Sequence, residues 1–299
     1  MIALTEQYFV ILIYALCSYR NSGSIDFGDP NFINLARDVE TMSMELDSKF
    51  DHNSIESVLQ YDQVLKKMAG DRVELEFLAR QLFLLLLFNQ NPQLTPKIFF
   101  REQMNGGSLI IGQLIRELKI YHPGTIADML GIVYTELQKY LKGQGLVIAL
   151  DEAHIADNYI LHGKLISEKA IGTYRKACMQ NAKLSPDFYN TLNIKCEVSS
   201  KYQHGFLTPL CAALSSLPAT LIVLGTAFSL LNADHVYSAS SKPNESHICI
   251  TDFPSADEND VGDILNLLLD MTNCKISPSK KQRLTGQLPL ESRYFFALM

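Results

Sequence analysis

The apolar positions of this chain fall into short unbroken runs separated by longer amphipathic stretches. The sharpest run is Leu146-Val-Ile-Ala-Leu150, entered from Gly143 and Gly145 and running straight into Asp151 and Glu152. Such a run predicts a strand buried on both faces, as in a parallel sheet, so the two carboxylates must lie just past its carboxyl end. Residues 8–16, rich in Ile, Val and Tyr, predict a first strand, 220–225 a third and 247–251 a fourth, shorter one. Helical periodicity is expected over 32–46, 54–69, 72–89, 109–118, 125–141, 207–217 and 261–271, with a further helix starting at Ser277-Pro278. Residues 18–30 and 96–107 read as irregular connections. From 158 to about 205 the pattern is lost, and an extended insertion with one or two short helices is expected. The helix over 207–217 supplies the crossover that sets strand 220–225 parallel to strand 146–150. Strands alternating with helices make the class α/β.

Composition narrows the setting. The chain has 299 residues, 47% hydrophobic and 19% charged, enough for a substantial core in one large or two smaller domains. A net charge of −6 gives no global footprint for nucleic acid. Cysteines 17, 178, 196, 211, 249 and 274 are scattered without a CxxC pair, which fits reduced, buried thiols of an intracellular protein. The run from Tyr8 to Cys17 follows Glu6, has no Lys or Arg before it and is too short to span a bilayer. It is read as a buried strand, with no signal peptide and no membrane partner. Leu82 to Phe88 is equally apolar, but Glu74, Glu76 and Arg80 just before it point to a buried helix of a soluble fold.

The chemistry follows from where the carboxylates fall. Open α/β sheets bind ligands at the carboxyl ends of their strands. An apolar strand ending in Asp-Glu is the Walker B element of nucleotide triphosphatases, where the Asp holds Mg²⁺ and the Glu positions and deprotonates the attacking water. Acidic residues are also favoured at any helix N-terminus, so the pair alone does not decide. Gly225-Thr226 closes the other strand, and a polar residue at that place is the sensor 1 that bonds the attacking water or the γ-phosphate. The two motifs together carry more than either does.

Three segments resemble one family. Asp151-Glu-Ala-His154, His204-Gly-Phe-Leu-Thr-Pro-Leu210 and Ile222-Val-Leu-Gly-Thr-Ala-Phe-Ser-Leu230 look like the ATPase core of Crinkler-type proteins. These are large fungal and oomycete proteins in which a STAND/AAA-like ATPase is often joined to a nuclease-like domain. Asp252-Phe-Pro and Leu284-Thr-Gly286 resemble the start of that family's helical lid. The resemblance covers roughly 140–299, with 8–30 fitting the second strand of such a core. It implies a P-loop NTPase-like (ASCE) sheet, mostly parallel, with helices on both faces. The core would span 1–253, with the insertion at 158–205, and the lid would begin over 254–299. It also implies ATP and Mg²⁺ as cofactors, Asp151 as the metal residue, and Glu152 and Thr226 as catalytic residues. The full-length protein would be an ATP-driven switch. Its protein partner is unknown, and nucleic acid is implicated only through a nuclease-like domain that this chain lacks.

Two departures qualify those expectations. No GxxxxGK[ST] phosphate loop occurs anywhere in the sequence, and Gln287 stands where the family often has arginine after the lid glycine. The family's strand order, 5-1-4-3-2, places the phosphate-loop strand between strands 220–225 and 247–251. Without it, strand 247–251 either pairs directly with 220–225 or leaves its backbone unsatisfied. The core is therefore expected to be incomplete at its N-terminal side. A scaffold that has lost turnover, acting as a non-catalytic (pseudo-ATPase) interaction module, is the alternative function. Asp151 to His154 also spell the DEAH of a helicase superfamily, but the second RecA-like domain of a helicase has no place here. A metal site from His154, His162, His204 and Asp157 would have no recognised ligand spacing.

Overall fold

The structure is a computed structural model and describes residues 2–15, 29–50, 55–158, 206–225, 247–250 and 294–298. Its strands are β1 (Phe9–Tyr14), β2 (Leu146–Asp151), β3 (Thr220–Gly225), β4 (His247–Ile250) and β5 (Tyr294–Leu298). They form one sheet in the order β1-β2-β3-β5-β4. Strands β1, β2 and β3 are parallel neighbours, with Ile13 opposite Leu150 and Leu150 opposite Val223. The three runs read as buried strands are strands. The pleat explains why apolar residues occupy both faces. Phe9, Ile11, Ile13, Leu146, Ile148, Leu150, Leu221 and Val223 point into the main core. Val10, Leu12, Val147, Ala149, Ile222 and Leu224 form a second cluster on the other face with Phe100.

Among the described residues, six helices pack around the sheet: α1 (Pro30–Asp47), α2 (Ile55–Gln90), α3 (Pro96–Glu102), α4 (Ser108–Leu118), α5 (Pro123–Leu141) and α6 (Leu207–Ser215). The spine is α2, whose 36 residues span about 54 Å. The sequence predicts two helices here, broken near Gly70. The helix runs through because Tyr61, Leu65, Ala69, Val73 and Phe77 keep a buried stripe at every fourth position. That packing outweighs the roughly 1 kcal/mol that an interior glycine costs.

Residues 96–107 are likewise not irregular. Thr95 caps α3 by accepting from the Ile98 N–H, and Pro96 occupies the first helical position. A π-helical turn, Gln103–Gly107, then links α3 to α4. Gly106 sits at φ +105°, and a Cβ on Gly107 would come within 3.0 Å of the Glu102 carbonyl and the Phe83 ring. The turn delivers Gln103 to the free edge of β1. There its amide accepts from the Leu12 N–H at 3.1 Å and donates to the Val10 carbonyl at 2.7 Å. A side chain thus imitates a neighbouring strand and closes the edge.

The C-terminal side departs most from expectation. Tyr294–Leu298, assigned by sequence to a helical lid, is the strand β5, antiparallel to both β3 and β4. It fills the slot between them, so β4 neither touches β3 nor lies unpaired. The insertion expected from 158 onward lies outside the described residues except for Asn158. The helices expected at 261–271 and from 277 lie outside them too. Cys211 is buried and forms no disulfide, as expected. No helix among the described residues is long and apolar enough to cross a membrane.

Candidate functional site

The carboxyl ends of β1, β2 and β3 share one rim of the sheet, because the three strands are parallel neighbours. Asp151 is the last residue of β2, opposite Tyr14, and its carbonyl accepts from the Ala15 N–H at 2.9 Å. Glu152 follows directly. Both are buried, at 4% and 7% exposure.

Glu152 has φ +54°, in the left-handed region that a residue with a Cβ avoids. Its N–H donates to Asp151 Oδ1 at 3.0 Å, and its carbonyl accepts from the Ile155 N–H at 2.9 Å. The reversal turns the chain off the strand into a 3₁₀ turn, Ala153–Asn158, and buries Ala153, Ile155 and Ala156. Strain of this kind concentrates at functional positions. The left-handed conformation costs a residue with a Cβ about 1–2 kcal/mol, against about 0.5–1 kcal/mol of extra chain entropy lost by glycine. Glu152→Gly is therefore expected to raise the unfolding free energy by about 0.5–1 kcal/mol in urea titration. A less stable glycine variant would show that what the buried Glu152 side chain contributes outweighs the strain.

The rim is anchored from behind by a buried ion network that the sequence reading missed. Arg80, on α2, donates to Glu76 Oε1 at 2.6 and 3.1 Å, to Asp29 Oδ2 at 2.5 Å and to the Leu12 carbonyl at 2.9 Å. Asp29 caps α1 through the Asn31 N–H, and its own N–H donates to the Tyr14 carbonyl at 3.1 Å. One guanidinium therefore ties the start of α1 to the carboxyl end of β1. Burial pushes the Glu76 carboxyl above its ordinary range, with Arg80 opposing. Burial pulls the Arg80 guanidinium down, but Asp29 and Glu76 more than reverse this and hold it above its ordinary value. The i, i+4 spacing of Glu76 and Arg80 was the available signal. The third partner, 51 residues away, had none.

Mg²⁺ is commonly held by one or two carboxylates completed by waters and substrate phosphates. Asp151 and Glu152 fit that mode, although no group of three or more potential ligands occurs among the described residues. A triphosphate is not matched in the same way. The N-terminus of α1 adjoins this rim, but the Asp29 carboxylate already occupies the place an anion would take. The slot expected to hold a phosphate-loop strand holds β5, which runs the other way and begins at this rim opposite Gly225. No strand in that slot leads into a loop there.

Thr226 lies outside the described residues; Gly225 before it is the last residue of β3. His154 falls within the 3₁₀ turn, with its side chain outside the described set, as are His162 and His204. No family model, curated protein or solved structure matches the chain at a significant level.

Proposed function

We propose that this chain carries the Walker B and sensor 1 half of a Crinkler-type ATPase core and binds a divalent cation at Asp151-Glu152. The observation that supports it is the buried acidic pair, with Glu152 held left-handed, on the rim where the adjacent parallel strand ends at Gly225. In this reading Mg²⁺ supplies charge neutralisation for a bound phosphate. Asp151 would hold the cation, Glu152 would accept a proton from a water at its carboxylate, and Thr226 would serve as the sensor 1 hydroxyl. In a full-length relative these groups would serve an ATP-driven switch.

A second reading has its own support. With β5 in the slot and α1 capped by Asp29, the described residues offer no cradle for a triphosphate. The chain by itself would then be a non-catalytic interaction module that keeps the cation-binding rim. Mn²⁺ titration followed by electron paramagnetic resonance tests the shared part of both readings. The wild type is expected to bind one ion, and Asp151→Asn to weaken it by about tenfold or more. Equal binding by both would remove the cation site. Nucleotide titration in Mg²⁺ then separates the readings: saturable ATP binding lost in Asp151→Asn supports the ATPase, and its absence in the folded protein supports the module.

A further inference from the structure

We propose that the cleft between α1, α2 and α4 is a binding site for a small oxyanion of the phosphate or carboxylate type, separate from the rim at Asp151. One face of each helix lines it. Asn31, Asn34, Leu35 and Asp38 come from α1, Arg72, Leu75 and Glu76 from α2, and Gly112, Ile115, Arg116 and Lys119 from α4 and its C-cap. The spacing on each helix is i, i+3, i+4, with i+7 on α1 and α4, so three stripes converge rather than one loop wandering past.

The cavity holds about 170 Å³, well below the roughly 300–1,000 Å³ of sites for drug-sized molecules. Its occupant is therefore small. Gly112 keeps the cleft in this shape. A Cβ there would fall 2.8 Å from Asn31 Oδ1, and Asn31 is fixed by donating to the Ser108 carbonyl at 2.8 Å. An interior glycine in α4 is what lets the two helices approach across the cavity floor.

Charge bookkeeping gives the ligand its sign. The two acids of the lining are engaged: Asp38 with Lys119 at 3.0 Å, and Glu76 with Arg80 behind the cavity wall. Arg72 and Arg116 have no ion-pair partner among the described residues. Arg80 also serves Asp29, so the lining and that network together keep a surplus of one positive charge, presented by two guanidinium groups from different helices whose planar forks match an oxyanion's geometry. Asn34, exposed on the α1 side, adds an amide donor at the rim.

The test is equilibrium dialysis of inorganic phosphate, and separately of succinate, against the full chain in low-salt buffer without other oxyanions. Saturable binding of phosphate alone assigns the site to phosphoryl groups, and binding of both assigns it to oxyanions in general. Arg116→Gln, on an exposed position, and Arg72→Gln are each expected to weaken binding about tenfold. Asn34→Asp, nearly isosteric, places a carboxylate at the mouth and is expected to weaken it as well. It also covers the case in which an arginine variant fails to fold. Lys139→Gln, on the outer face of α5, is expected to change nothing. No saturable uptake of either anion up to about 10 mM, or equal uptake by the wild type and the cleft variants, would overturn the site.

Discussion

Arg80→Met is expected to lower the unfolding free energy by about 3–5 kcal/mol, the usual cost of removing one partner from a buried ion network. The substitution leaves the Glu76 and Asp29 carboxylates without their shared cation, and the Leu12 carbonyl without its donor. Lysine is not expected to rescue it, because an ammonium cannot bridge three acceptors in one plane. Arg80→Met combined with Glu76→Leu is expected to recover part of the loss, since the double variant no longer buries Glu76 without its cation.

The pH dependence carries a sign. Burial raises the folded-state value of Glu76 above its ordinary 4.5, so the folded protein holds the proton more tightly than the unfolded chain. That contribution is full below 4.5 and is lost as pH rises through the folded value. Removing Arg80 removes the main opposing charge and raises the value further. The Arg80→Met deficit should therefore shrink as the solution is acidified toward 4.5. Urea titrations of both proteins across that range read it directly, and a deficit independent of pH would show that Glu76 is not the group left stranded.

The second large effect has the opposite direction. Gln81 is fully buried on α2, and both its amide nitrogen and its amide oxygen are without a hydrogen-bond partner among the described residues. Leaving such a group dry costs about 1–3 kcal/mol, while methionine has a similar shape, suits a helix and needs no partner. Gln81→Met is expected to raise the unfolding free energy by about 1–3 kcal/mol, with the midpoint rising at an unchanged denaturant slope. A loss of stability would mean that ordered water satisfies the amide.

The parts of the fold legible in the sequence were those whose signal is local. Residues 9–14, 146–151 and 220–225 announced themselves because strands buried on both faces have no polar alternation to blur them. The same runs placed Glu152 just past the strand end, whereas Asp151, expected there too, is the last residue of β2. Errors arose where tertiary packing overrode a local cue. Gly70 reads as a break but lies inside a stripe of buried residues, and 96–107 reads as loop although Thr95-Pro96 is a proper helix start. Tyr294–Leu298 has no periodicity of its own to separate strand from helix in five residues, and only the vacancy between β3 and β4 selects one. The left-handed turn at Glu152 was invisible, since no residue type there favours it.

The placement of β5 bears on how the molecule is made. As the chain leaves the ribosome, β3 and then β4 emerge before the strand that will lie between them. Vectorial synthesis thus leaves two hydrophobic strands waiting, each with an open flank, until β5 arrives. Filling that gap is a long-range event, and the nascent protein is exposed to wrong pairings in that interval.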